Sequence, residues 1–267
     1  MQQLNEILHS QEALPTEKPF DFFSPEYLED RCKAYNETKG TRNLIDGYNC
    51  EYCNNRGNFA VVRGDEIMIS YCEKCRPIRK SLKSIKHSGL DSYSFKSFEC
   101  SEKWQRDLKQ KVIGFTNNKN GNWLLISGQS GCGKTHLCTA AVTKMMHERS
   151  LNSVILRWAE DAKRLKRLIN DNSYSTEINR YKYADLLYID DFLKVKKGES
   201  PTPADINLAF ELLDYRYNYK LTTIISSEFA LDEIIDFDEA LGGRIKQRCK
   251  DFCFFVSSDK SKNYRLR

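Results

Sequence analysis

The apolar run Trp123-Leu124-Leu125-Ile126-Ser127 passes directly into Gly128-Gln129-Ser130-Gly131-Cys132-Gly133-Lys134-Thr135, and a helical pattern starts at Lys134. A buried strand, a glycine-rich loop and a helix in that order permit few folds. The glycines let successive N–H groups turn inward onto an anion, and the next helix presents its positive end to the same point. The octapeptide fits the G-x-x-x-x-G-K-[ST] phosphate loop in the context that motif requires. Its chemistry asks for a lysine on the β and γ phosphates, here Lys134, and a hydroxyl that can ligate magnesium, here Thr135. The candidate nucleotide-binding set is therefore Gly128, Gln129, Ser130, Gly131, Cys132, Gly133, Lys134, Thr135 and His136.

The rest of the chain repeats the alternation. Helices are predicted at about 102–117, from Lys134 to His147, at 158–170, 175–183, 203–219 and 237–248. Between them lie short apolar strands: Ser153–Arg157, Leu186–Asp190, Thr222–Ser226 and Phe252–Val256. Continuous apolar strands separated by helices mean a parallel sheet covered on both faces, an α/β fold of five strands.

Leu186-Leu187-Tyr188-Ile189-Asp190-Asp191 is an apolar strand that ends in two carboxylates, the Walker B pattern. Asp190 would hold magnesium with Thr135. Asp191 stands where many ATPases place a glutamate that activates water, or else it caps the turn. Aspartate is one methylene shorter, so slow hydrolysis is expected. The next strand ends in Ser226-Ser227-Glu228. Ser226 or Ser227 would sense the γ-phosphate, unless this is a solvated strand end. Glu228 would repel phosphate unless a basic residue or water meets it. Arg244 follows Gly242-Gly243 and opens a basic helical segment. It reads as an arginine that reaches a neighbouring subunit's site, or as a surface arginine bonded within its own chain.

Ten cysteines are many for a chain whose first residues lack a basic and an apolar signal region. A cytosolic setting disfavours disulfides. Cys50-x-x-Cys53 and Cys72-x-x-Cys75 flank a hairpin pattern that turns at Arg63-Gly64-Asp65. Paired knuckles of this kind suit tetrahedral zinc on four thiolates; an iron–sulfur cluster and redox dithiols are the other readings. The remaining six cysteines show no partner spacing. The expected organisation is a helical or extended segment at 1–46, with a helix from Pro25 to Tyr35 capped by Ser24. A four-cysteine module at 47–80, a basic linker and lead-in at 81–100, and an ATPase domain at 101–267 follow it. Mean hydropathy is −0.62 and no run of 18 apolar residues exists, so a membrane span is not expected and the cytoplasm is. The net charge of +5 allows a nucleic-acid partner without demanding one.

Taken in order, these pieces resemble the AAA+ ATPases of the DnaC/DnaI helicase-loader group, especially the DnaC-like ATP-binding proteins of Gram-positive phages and prophages. The matching residues are the cysteine knuckles, Ser88-Gly89-Leu90, Tyr93-Ser94-Phe95-Lys96-Ser97-Phe98, Gly128–Thr135, Tyr188–Phe192, Thr223–Glu228, Gly243-Arg244-Ile245 and Asn263-Tyr264-Arg265, over about 47–267. The resemblance implies a P-loop AAA+ sheet without a helical lid, preceded by a small zinc-ribbon-like domain that docks on a hexameric replicative helicase. It also implies binding of ATP, magnesium and single-stranded DNA, ATP-dependent homo-oligomers, a trans-acting Arg244 and a second phosphate-sensing arginine near Arg265. Glu228 departs from the family, where many members carry Asn.

The function expected is an ATPase, weak unless stimulated by a partner or DNA, that loads a helicase onto single-stranded DNA. An IstB-like ATPase that assists a transposase on duplex DNA shares the same core. A metabolite kinase would need a lid and acceptor-binding arginines, which the sequence does not display, and a zinc adaptor that only binds ATP would keep its activity without Lys134. Candidate DNA contacts are Arg76, Arg79, Lys80, Lys83 and Lys86 in the connector and Lys194, Lys196 and Lys197 after the third strand, or both runs are solvated charge.

Overall fold

The computed structural model describes residues 23–266 apart from residues 88, 119 and 197, and divides into two compact units. The smaller comprises Met1–Arg42 with Cys50–Cys72, and the larger Asn43–Asn49 with Glu73–Arg267. Of the expected 1–46 segment, residues 1–22 lie outside the described residues.

In the small unit, helix α1 (Pro25–Glu37) starts where sequence chemistry puts it. The Ser24 hydroxyl accepts the Tyr27 N–H at 3.3 Å, and Pro25 occupies the first turn, where its missing N–H costs nothing. Leu28 and Cys32, four residues apart, are its buried face. Strands β1 (Asn58–Arg63) and β2 (Glu66–Tyr71) form the antiparallel hairpin, paired from Asn58↔Tyr71 to Arg63↔Glu66. The Asn36 side chain clamps α1 to β1, donating to the Ala60 carbonyl at 2.9 Å and accepting the Ala60 N–H at 2.8 Å.

The large unit opens with α2 (Asn43–Asp46) and α3 (Arg76–His87). Here the structure corrects the expected boundaries: 76–87 is a helix, where the sequence suggested a solvated connector leading into an 81–100 linker. Its periodicity explains this. Ile78 and Ile85 are buried, whereas Arg76, Lys80, Lys83 and Lys86 are exposed. Arg79 is an internal anchor, ion-paired with Asp46 and donating to the Tyr48 carbonyl at 3.2 Å. Those bonds, with a 2.7 Å bond between the Tyr48 and Ser150 hydroxyls, assign Asn43–Asn49 to the large unit. Arg79 is thereby removed from the candidate DNA contacts.

Helix α4 (Lys103–Thr116) precedes β3 (Trp123–Gly128), α5 (Lys134–Arg149) and β4 (Ser153–Arg157). The helix expected at 158–170 is a π-helical turn at Trp158–Ala162 that continues as α6 (Lys163–Leu168). Then come α7 (Tyr174–Lys182), β5 (Leu186–Phe192), α8 (Pro203–Asn218) and β6 (Thr222–Ser227). Two helices, α9 (Leu231–Phe237) and α10 (Glu239–Cys249), replace the single one expected near 237. Asp238 separates them, since its carboxylate accepts the Leu241 N–H at 2.7 Å and so starts a new helix. Strand β7 (Cys253–Val256) completes the sheet.

The five strands are all parallel, in the order β4-β5-β6-β3-β7. The chain starts at β3, crosses to the far edge and returns, so β3 lies between β6 and β7. Strand order therefore reverses beside β3, which opens a crevice at its carboxyl end. Every residue of β3 and of β6 is buried.

Arg216 on α8 is a fully buried charge that no local sequence pattern marks. Its guanidinium donates to the carbonyls of Tyr181, Ala184 and Thr222 at 2.9, 2.8 and 2.6 Å and to the Thr223 hydroxyl at 2.9 Å. It thus joins the end of α7 to the entrances of β5 and β6. Arg216→Met is expected to destabilise the chain by about 3–5 kcal/mol, because it leaves several buried carbonyls unpaired. Urea unfolding followed by circular dichroism checks this.

Candidate functional site: a nucleotide pocket and a four-thiol cluster

The loop after β3 needs left-handed backbone that only glycine supplies easily, with φ of +129° at Gly128 and +78° at Gly131. There is no room for a side chain either. A Cβ on Gly128 would lie 2.2 Å from the Val256 carbonyl, and one on Gly131 would lie 2.0 Å from the Asn263 side chain. Lys134 folds back over the loop and donates to the Gly128 and Gln129 carbonyls at 2.7 and 2.8 Å. The Cys132 thiol is buried and pushed upward by that burial, so this position contributes backbone and not a nucleophile. The Gln129 side chain faces away, pairing with the Asp259 backbone at 2.6 and 2.8 Å.

Strand β5 meets this loop through Asp190. Its Oδ1 accepts the Thr135 hydroxyl at 3.0 Å, the Tyr188 hydroxyl at 2.5 Å and the Ser226 hydroxyl at 2.8 Å. Tyr188 is two residues from Asp190, on the same face of the strand. Burial, then the neighbouring Cys138 and Asp190, hold its phenol well above the usual value, so it stays a donor. Sequence reading took Tyr188 only as strand filler; the alternation of strand side chains was the available signal. The oxygen set of Thr135 and Asp190 suits magnesium, which takes one or two protein oxygens and keeps its waters.

A bulge between Ile189 and Phe192 reshapes the end of β5. Asp191 sits there at φ +53°, its N–H donating to the Ser226 hydroxyl at 3.0 Å. Its carboxylate faces the pocket and accepts from Lys194 at 2.9 Å. Lys194 also donates to Glu228 at 3.0 Å, the basic contact that Glu228 required. Burial alone would lower the Lys194 pKa, but the bonds and charges of Asp191 and Glu228 outweigh it and raise the value, so the side chain stays cationic.

The serines at the end of β6 are elsewhere than expected. Both are fully buried. Ser226 is occupied with Asp190 and Asp191, and Ser227 donates to the Phe192 carbonyl at 2.9 Å while accepting the Phe229 N–H at 3.1 Å. Ser227 therefore supports the β5–β6 junction from beneath, and its hydroxyl is not presented to the nucleotide. Arg265 does reach the loop, with a 3.3 Å contact to the Ser130 hydroxyl. Arg244 does not enter this chain's own pocket: it donates to Asp214 at 2.8 Å and to the Ala240 carbonyl at 3.0 Å, above the Phe210 ring.

The resulting cavity, about 370 Å³, contains Lys134, Thr135, Asp191 and Lys194 at the phosphate end. Tyr93, Phe98 and His136 add an aromatic wall. Tyr93 stacks on His136 with centroids 4.6 Å apart and planes 13° apart, and the Phe98 ring meets His136 edge-on at 5.2 Å. Burial lowers the His136 pKa, so the ring is neutral near pH 7; its Nε2 lies 2.9 Å from the Ser94 carbonyl. The sequence placed Tyr93 and Phe98 in a family lead-in without a role; nothing local connects them to His136.

The second site is the cysteine cluster. The sulfurs of Cys50, Cys53, Cys72 and Cys75 all lie within 4.8 Å of one another, and all four residues are buried. Cys50 and Cys72 sulfurs are 3.9 Å apart, far beyond a disulfide bond and close to the edge of about 3.8 Å of a tetrahedron with zinc–sulfur bonds of about 2.3 Å. Cys53 sulfur also accepts the Gly57 N–H at 3.2 Å. Burial, with added effects of Cys53 and Cys72, pushes the Cys50 thiol up to about 11. Four such packed thiols fit a dication that would hold them as thiolates. Bound there, zinc would supply folding energy.

A parallel β4-β5-β6-β3-β7 sheet with a phosphate loop after β3, and an acidic pair at the end of β5, one strand further across the sheet, defines a P-loop ATPase of the AAA+ type. The comparisons agree. A profile described as the bacterial DnaA ATPase domain matches residues 91–249, and the chain belongs to that family. Its sequence is 32% identical over 172 residues to an uncharacterised protein, YqaM, of Bacillus subtilis strain 168, covering 64% of this chain and 53% of YqaM. The chain thus spans about half the length of that relative. It is 26% identical over 227 residues to the replicative helicase loader DnaI of the same organism, covering 78% and 68% of the two chains. Its fold is that of the DnaC helicase loader crystal structure, at TM-score 0.51 and 17% identity over 64% of this chain and 99% of that one.

Two outcomes follow from these sites. The purified chain is expected to carry about one zinc per molecule by atomic emission, lost in Cys72→Ser together with structure in the small unit. Lys134→Ala is expected to abolish ATP and ADP binding, measured by calorimetry, with little change in melting temperature.

Proposed function

We propose that this ATPase attaches to a replicative helicase and delivers it to single-stranded DNA, with ATP binding and slow hydrolysis as the switch. The observation that carries the reading is the extent of the similarity to the helicase loader DnaI. At 227 residues it exceeds the 91–249 span of the ATPase domain, so it includes sequence outside that domain. The small unit suits a protein partner. All six residues of β2 are exposed, and Ile67, Met68, Ile69 and Tyr71 are 38–62% accessible. A run of exposed apolar side chains on an unpaired strand edge favours association.

In the nucleotide site, Lys134 would exchange its loop carbonyls for phosphate oxygens, and Thr135 and Asp190 would hold magnesium, whose chemistry is to neutralise phosphate charge. Asp191 would accept a proton from the attacking water. Its short side chain and its bond to Lys194 both support slow turnover. Arg244 would leave Asp214 to reach a neighbouring subunit in an ATP-dependent homo-oligomer. Exposed Arg76, Lys80, Lys83 and Lys86 on α3 are the candidates for DNA phosphates.

The test is a pull-down from host lysate with the full chain, with and without ATP. Capture of the hexameric helicase is expected, and Ile69→Lys is expected to abolish it while ATP binding persists. Capture unaffected by that change would rule out β2 as the docking face. Asp191→Asn is expected to lower kcat by roughly 10²-fold or more with KM little altered. Preference for duplex DNA with a transposase in place of the helicase would overturn the proposal.

A further inference from the structure

At the end of β6 a phosphate-binding ATPase needs a group that distinguishes three phosphates from two, and in this chain the side chains at that strand end cannot provide it. The Ser226 and Ser227 hydroxyls are buried and occupied by Asp190, Asp191 and Phe192. The following residue, Glu228, carries the charge that a triphosphate repels. With Asp191 it places two carboxylates near the phosphate end of the pocket.

Lys194 is the group that reverses this. It leaves the bulged end of β5, lines the same cavity as Lys134 and Thr135, and bonds Asp191 at 2.9 Å and Glu228 at 3.0 Å. An ammonium has three N–H donors, and these two bonds use two of them. The third, on a side chain about one-third exposed, is left for the cavity. One carboxylate lies at the end of β5 and the other just after β6, so they fix the nitrogen in direction as well as in charge. Glu228, unexplained as a phosphate contact, is explained as the holder of a cation.

We propose that Lys194, held by Glu228, contacts the terminal phosphate of bound ATP and makes the site prefer ATP over ADP. This rests on the ATP-site reading given above. Lys134 reaches the β-phosphate that ATP and ADP share as well as the γ-phosphate, whereas Lys194 would meet only the phosphate that ADP lacks. The consequences of losing each lysine therefore differ.

The experiment is calorimetric titration of the full chain with a non-hydrolysable ATP analogue and, separately, with ADP, both with magnesium. For Lys194→Met, the expected result is a roughly 10- to 100-fold loss of affinity for the analogue, as for one charge-assisted hydrogen bond, and unchanged ADP affinity. Lys194→Arg, which keeps the charge, is expected to retain most of the preference. Melting temperatures of the variants confirm folding, and Lys194→Gln carries the same comparison should the methionine variant unfold. Equal loss for both nucleotides, or no loss for either, overturns the proposal. Failure of the unaltered chain to bind either nucleotide would instead overturn the ATP-site reading itself.

Discussion

The half-buried carboxylate of Asp190 is the joint on which the nucleotide site depends. A carboxylate partly withdrawn from water gains from nearby donors, and here three hydroxyls converge on one oxygen. They come from Thr135 on α5, Tyr188 on β5 and Ser226 on β6. Each belongs to a different element, so one residue sets the phosphate-loop helix, its own strand and the adjoining strand in a single arrangement. The Ser226 hydroxyl extends the network by accepting the Asp191 N–H, and this steadies a backbone held at positive φ. The acidic pair is thus placed by hydrogen bonds that run across the sheet.

Charge is distributed with equal economy. Asp191 and Glu228 would repel each other and any phosphate, but Lys194 spans them. Arg216 does similar work at the other end of the strands, where it collects backbone carbonyls that the turns into β5 and β6 leave unpaired. Both cations are held by more than one partner. One is about one-third exposed in the lining of the pocket, and the other is wholly inside. In the cysteine cluster the same requirement appears in another form. Four thiols packed within 4.8 Å of one another have a geometry that admits a cation.

Much of the architecture was legible. Five short apolar strands between helices specified a parallel sheet, and the glycine loop after the first of them specified where an anion binds. These signals are local: each is contained in a contiguous stretch whose pattern is set by backbone sterics and burial. The illegible parts have a common cause. The segment at 76–87 is a helix because a half-buried ion pair and two buried isoleucines fasten it to the core, and its positive charge alone suggested solvent. Ser227 was expected at the phosphates and lies beneath the β5–β6 junction, because the bulge at Ile189/Phe192 brings the Phe192 carbonyl to its hydroxyl. Tyr188 read as one more apolar strand residue, yet its hydroxyl serves Asp190.

By itself the sequence determined the phosphate loop, the acidic strand end and the paired cysteine knuckles, since each is a chemical requirement met by neighbours a few residues apart. Only the tertiary structure decided which side chains face the nucleotide. Lys194 and Glu228 are 34 residues apart, and Ser130 and Arg265 are 135 apart. Their meeting depends on strand order, register and one bulge, and spacing along the chain carries no record of those. Hydrogen-bond geometry acts over about 3 Å. A shift of one residue in the register of β5 or β6 would turn Asp190 or Ser226 to the opposite face of the sheet.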